Sequence, residues 1–190
     1  MTGRGSFLRW YRALPLIIVL IFGLVSFAFT FAPSLLFKSI YPLRYEDEIT
    51  ASAATHGVDP YLVAAVLRSE SSWDPEASSH QGARGLMQLM PETAQDMVAK
   101  GLVDGKRYSC ENLEDPAINI EYGCAYLSYL MTYFNGATDR AIAAYNAGMG
   151  NVDGWAKQDK LLHNAITFPE TQAYLAVSYT HLTLPTIYSV

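Results

Sequence analysis

The chain has 190 residues, 51% of them hydrophobic, with a net charge of −5. That length supports one sizeable core rather than two. The first thirteen residues hold Arg4, Arg9 and Arg12 and no acid, so the remainder carries 10 basic against 18 acidic residues. A body that acidic has no electrostatic footprint for nucleic acid.

Residues 1–13 read as a basic segment. From Ala13 to Phe37 the chain carries no charge. A bilayer span takes roughly 20 apolar residues, whereas the apolar region of a signal peptide takes about 7–15. Residues 14–37 therefore read as an uncleaved transmembrane anchor. Cleavage stays open, because Ser26-Phe27-Ala28 has the small-x-small pattern of a signal-peptidase site. No cysteine lies near this stretch, which argues against a lipid anchor. The three arginines ahead of it predict a single-pass cell-membrane protein with its N-terminus inside and its body outside.

Residues 38–44 form a short connector in which Pro42 discourages a continuous helix. Punctuation then follows one pattern. Asp59-Pro60, Met90-Pro91, Asp115-Pro116 and Phe168-Pro169 place proline where a helix begins, and aspartate ahead of it can cap free amides. Gly57, Gly101 and Asn135-Gly136 sit where helices stop. Leu113, Ile120, Leu127, Leu130 and Phe134 recur at helical spacing, and no strand alternation appears between Tyr45 and Val177. The expected fold is nearly all-α, with about six short helices over residues 45–177.

Cys110 and Cys124 fall in the exported part, where a disulfide is permitted. Two readings stand level: a bridge tying a loop to the following helix, or two unpaired small residues. Neither has metal-site spacing, and no metal or cofactor is expected.

In "PYLVAAVLRSE", Val63, Val66, Leu67 and Glu70 stand at i, i+3, i+4 and i+7. Glu70 thus falls on the apolar face and in the last turn. Burial and the negative end of the helix dipole both push its pKa upward, which suits a general acid. The plain alternative is an ion pair with Arg68 or Arg84. Downstream, Gly82 and Gly85 flank a polar loop whose amides, with Gln88, are free to grip a ligand.

"ESSWDPEASSHQGARGLMQLMPETA", "NIEYGCAYL", "AIAAYNAGMGNVDGW" and "FPETQAYL" follow one another with compatible spacing. Together they resemble the catalytic domain of the soluble lytic transglycosylase family, from about Tyr45 to about Val177. The resemblance implies a goose-type-lysozyme-like helical domain with a glycan groove. It also implies cleavage of the β-1,4 bond between N-acetylmuramic acid and N-acetylglucosamine in peptidoglycan, leaving 1,6-anhydromuramic acid ends. Family members work with one carboxyl rather than the usual pair, and Glu70 matches it. Asp74 reads instead as part of the helix-ending turn. Ser79 and Tyr145 match the hydroxyl residues that orient the acid. Gln88, the Met90 backbone and Tyr126 match sugar contacts. Glu170 matches a groove residue, and Asn146 serves equally as a turn cap or a binding group. His80 and His163 read as exposed loop residues.

Met149 stands where many relatives have proline, which affects turn stiffness. After Val177 the chain reads "SYTHLTLPTIYSV", without helical spacing, and residues 178–190 are expected to be a non-native tail. A hydrolytic lysozyme-like product, or a non-catalytic wall-binding module, are the competing readings. No protein partner is named by the sequence.

Overall fold

The structure is a computed structural model that describes residues 5–31, 44–158, 166, 171, 172 and 174. The chain divides after Leu43 into two units.

The first unit contains helix α1 (Gly5–Phe31), with Pro15 inside it. Helix therefore begins well within the expected basic segment. Leu16 and Phe22 on this helix are each 73% exposed. Among the described residues no helix is long and apolar enough to cross a membrane.

Among the described residues the second unit contains six helices: α2 (Glu46–His56), α3 (Pro60–Ser71), α4 (Pro91–Ala99), α5 (Pro116–Tyr133), α6 (Thr138–Ala147) and α7 (Met149–Gln158). Three start at the prolines expected to start them. Asp59 accepts the Tyr61 amide and Asp115 the Ile118 amide, each satisfying a donor the first helical turn leaves free. Gly57 ends α2 at φ 66°, and Gly101 and Gly136 follow α4 and α5 at φ 70° and 81°. The Phe168-Pro169 start lies outside the described residues, as do His163, Glu170 and the expected tail. Among the described residues no strand forms; the loop between α3 and α4 holds only isolated bridges, Ser78 to Arg84 and Arg84 to Leu89.

Helix α5 is the axis of this unit and packs against α2, α4 and α6. Every residue from Asn119 to Ala125 is buried, so the helix has no solvent face there. Its polar groups must therefore find partners inside the protein. Glu121 accepts from Ser52 Oγ and lies 2.9 Å from His56 Nε2, fastening α2 to α5. The Tyr122 hydroxyl donates to the Tyr108 carbonyl at 2.7 Å.

Asn119 holds the α3–α4 loop. Its Oδ1 accepts the Met87 amide at 2.7 Å, and its Nδ2 donates to Leu113 O at 2.7 Å and Arg84 O at 2.9 Å. Two glycines make room for this arrangement. At Gly85, φ is +73° and a β-carbon would strike Leu113 O and the Asn119 amide. At Gly123, a β-carbon would strike the Met87 sulfur.

The candidate disulfide is not formed, and Cys110 and Cys124 are free thiols. Cys124 bonds toward Ser52 on α2, whereas Cys110 neighbours Tyr122. Positions 122 and 124 lie about 200° apart around α5, so the thiols meet opposite sides of the helix. Burial pushes the Cys124 thiol to about 12, leaving it protonated and unreactive.

Asn119→Ala would strand the Met87 amide and two carbonyls in the interior. Leaving such groups unmade costs about 3 kcal/mol in all, and thermal denaturation should fall by roughly 10 °C. An unchanged melting curve would show that the loop is held by something else.

Candidate active site

Helix α3 buries every side chain from Leu62 to Leu67 and then delivers Glu70 at its end. Two successive non-glycine residues in the left-handed region, Ser72 (φ 53°) and Trp73 (φ 70°), turn the chain away immediately after. Such backbone costs about 1 kcal/mol per residue, and tight packing around it must offset that. The Glu70 pKa is raised from 4.5 to about 7, chiefly because burial disfavours its charged form. The Tyr174 phenol opposes the shift. No arginine does: Arg84 Nη1 is 3.3 Å from Glu114, and Arg68 is exposed. The ion-pair alternative is therefore not realised. Asp74 is exposed and accepts the Glu76 amide at 3.0 Å, so it belongs to the turn, as expected.

Two tyrosines flank the acid. Tyr145, on α6, donates its hydroxyl to Met87 O at 2.9 Å. Burial and the nearby Glu70 hold that phenol well above its ordinary pKa of 10. Its proton is thus committed, while its oxygen lone pairs stay available to accept from a protonated carboxyl. Tyr174 is likewise held far above 10 by burial and Glu70. Its hydroxyl is buried, yet it forms no hydrogen bond of good geometry. Its opposition to the Glu70 shift nevertheless places it beside that carboxyl. With both phenols fixed as neutral groups, Glu70 is the member of this cluster that titrates near neutrality.

Tyr126, on α5, lies with its ring centroid 5.2 Å from that of Tyr145 at 48°. Asn146 stands in the last turn of α6, and its Oδ1 accepts from Thr171 Oγ1 at 2.8 Å. Thr171 is fully buried, so this bond ties the segment carrying Tyr174 to the helix carrying Tyr145. Asn146 thus acts as a clasp between segments.

The polar groups of the remaining loop residues are engaged within the loop itself. Ser79 Oγ accepts the Ala83 amide at 3.0 Å. Gln88 adopts φ 46°, and its Nε2 donates to Ala77 O at 2.9 Å and Gly85 O at 3.0 Å. Met90 is half-buried and caps α4 through its backbone. Among the described residues no group of histidine, cysteine and acidic side chains is arranged to hold a metal ion. Tyr174, Thr171 and Asn119 were not singled out by the sequence reading, although each lies inside a motif that was. Their signal is burial of a polar side chain, which becomes visible once the helices are packed.

What the arrangement can do follows from its parts. A carboxyl whose pKa is raised by burial sits at a helix end, beside two neutral phenols. It can give a proton to an oxygen placed against it and then take one back.

The description "Transglycosylase SLT domain" matches residues 47–168. The soluble lytic murein transglycosylase of Salmonella typhimurium is 36% identical over 131 residues, 69% of this chain and 20% of that protein. The membrane-bound lytic murein transglycosylase C of Yersinia pestis is 40% identical over 116 residues, 57% of this chain and 32% of that one. The chain therefore corresponds to about a fifth to a third of the curated relatives it matches. Among solved structures, the 70 kDa soluble lytic transglycosylase of Escherichia coli superposes with a TM-score of 0.69 at 32% identity, over 80% of this chain and 26% of that one. An inactive mutant of the lytic transglycosylase Slt of Pseudomonas aeruginosa gives 0.68 at 33% identity, over 76% and 24%. Helical architecture, a half-buried acid at the end of α3 and the match over residues 47–168 agree: the chain belongs to the transglycosylase SLT domain family.

Proposed function

We propose that residues 45–177 act as a lytic transglycosylase on peptidoglycan, with Glu70 as the catalytic acid and base. The observation that carries this reading is the position of the Glu70 carboxyl, half-buried at the end of α3 beside Tyr145 and Tyr174, where desolvation raises its pKa to about 7. The neutral acid protonates the oxygen linking N-acetylmuramic acid to N-acetylglucosamine, and the bond from that oxygen to the anomeric carbon breaks. The resulting carboxylate then takes the proton of the muramic 6-hydroxyl as that oxygen attacks the anomeric carbon. Glu70 is regenerated, no water is consumed, and a 1,6-anhydro end is left. One titrating group near pH 7 suits both half-reactions, because it loses and regains its proton at little cost.

Tyr145 positions the carboxyl by accepting from its protonated form while its own proton rests on Met87. Ser79, in the α3–α4 loop, would contribute a second hydroxyl. Gln88 Oε1, the Met90 backbone, the Tyr126 ring and Glu170 contact the sugars. The relatives named for murein supply the substrate class, and one solved relative is a complex with bulgecin A.

The apolar, solvent-facing α1 with three arginines at or before its first half would anchor the domain to the outer face of the cell membrane. The relative named as membrane-bound supports this placement.

Peptidoglycan digested by the wild type should yield anhydro-ended fragments by mass spectrometry; reducing ends would instead make the enzyme a hydrolase. Glu70→Gln should abolish turnover while wall binding persists, and Tyr145→Phe should lower kcat with the fold intact. Retained lysis by Glu70→Gln would remove the assignment.

The same acid gives a pH signature. The folded state holds the Glu70 proton more tightly than the unfolded chain, so this group's contribution is favourable at low pH and is lost as pH rises from 4.5 through about 7. Glu70→Gln escapes that loss. Its stability relative to wild type should therefore grow across this window, by an amount on the order of 3 kcal/mol at most, as urea unfolding at pH 5 and pH 8 would show. In the wild type, kcat/KM should decline above about pH 7. A stability difference that does not change with pH would mean Glu70 titrates as an ordinary carboxylate.

For the anchor, the full-length chain should stay with membranes after a high-salt wash. Release at reduced mass would indicate cleavage near Ala28.

A further inference from the structure

A line of tyrosines leads away from the acid along α5. Tyr126, Tyr129 and Tyr133 stand at i, i+3 and i+7, so they share one face of that helix. Tyr126 packs against Tyr145, the neighbour of Glu70. Tyr129 and Tyr133 have ring centroids 6.4 Å apart. The Tyr126–Tyr133 separation is two helical turns, about 10.5 Å of rise, comparable to one disaccharide of an extended β-1,4 strand.

The far end of this line is built rather than merely exposed. The Tyr133 ring is 47% exposed, and Phe134 meets it edge-on at 4.9 Å and 79°. Its hydroxyl donates to Asp153 Oδ2 at 2.7 Å, so α7 fixes the ring from the other side. Tyr129 is braced by Lys100, whose ammonium lies 5.3 Å from the ring centre and pairs with Asp96. An isolated surface tyrosine needs no explanation. A ring held at its edge and at its hydroxyl, on the same helix face as Tyr126, and lying beside a carboxylate that can accept from sugar hydroxyls, has the features of a pyranose platform.

We propose that Tyr133 and Asp153, with Tyr129 behind them, form an additional carbohydrate subsite, about one disaccharide from the sugar that Tyr126 contacts. Its occupant is the continuing glycan strand, and the proposal rests on the peptidoglycan reading of the Glu70 cleft. The subsite acts on strand affinity and not on the bond being broken. It therefore makes the protein prefer long strands over fragments that only fill the cleft.

The test uses the full chain and two probes: long peptide-free glycan strands, and oligosaccharides just long enough to surround Glu70. Tyr133→Ala should raise KM on long strands about tenfold, with kcat unchanged and with the short substrate handled as by wild type. Asp153→Asn, at the surface, should give a smaller shift in the same direction, and Tyr133→Phe should fall between wild type and Tyr133→Ala. Equal effects on long and short substrates, or unchanged KM on long strands in all three variants, would overturn the subsite. Should Tyr133→Ala fail to fold, Asp153→Asn and Tyr133→Phe decide the question alone. Binding of the long strands in a Glu70→Gln background separates this proposal from the catalytic one. If the wild type releases no anhydro ends yet Tyr133→Ala still weakens binding about tenfold, the subsite stands and the lytic reading falls.

Discussion

The Asn119 side chain is the constraint on which the rest depends. It lies fully buried on a helix that has no exposed side at that level, so its amide must be satisfied internally. It is satisfied by backbone groups of Arg84, Met87 and Leu113, which fixes the α3–α4 loop against α5. That loop presents the Met87 carbonyl, to which Tyr145 donates its proton. Tyr145 in turn stands beside Glu70. A structural hydrogen bond is thus linked through two further contacts to the ionisation of the acid.

The electrostatics of the cluster follow from this chain of contacts. A carboxyl brought out of water resists ionisation, and a carboxyl paired with a cation does not. Here the available cations are directed elsewhere: Arg84 to Glu114 and Lys100 to Asp96. Phenols occupy the places a cation would take, and burial keeps them neutral. Phenols lend polarity without charge, so Glu70 is raised only to about 7 rather than being locked in either form. A single group poised in that way can serve as acid and base in turn.

Much of this was legible in the sequence, and for definite reasons. Asp-Pro pairs and glycines report local backbone requirements, so the starts of α3, α4 and α5 and the ends of α2, α4 and α5 fell where the residues placed them. The i+7 position of Glu70 on an apolar stripe reported its burial before any packing was known. The missed features are those that exist only in three dimensions. Asn119 and Tyr174 are unremarkable by spacing, and their importance comes from partners 32 and 104 positions away in the chain. For the cysteines, compartment and proximity in sequence left a bridge and two unpaired residues level, and the structure shows the unpaired pair. The periodicity of α5 points the two thiols to different sides.

Assembly of the acid from distant segments has an energetic consequence. Glu70 and the left-handed pair Ser72 and Trp73 each cost stability, the first through desolvation at neutral pH and the others through backbone strain. Costs of this kind persist only where surrounding structure over-determines the geometry. The buried run along α5 supplies that determination, because Asn119, Glu121 and Tyr122 anchor the α3–α4 loop, α2 and the 108 region at successive positions. The Asn146–Thr171 bond adds Tyr174 from the other side. Each polar group on α5 is tolerated in the interior because it is fully paired, and each pairing holds a segment that would otherwise relax away from the acid. Polarity inside the core and strain at the cleft are therefore two parts of one arrangement.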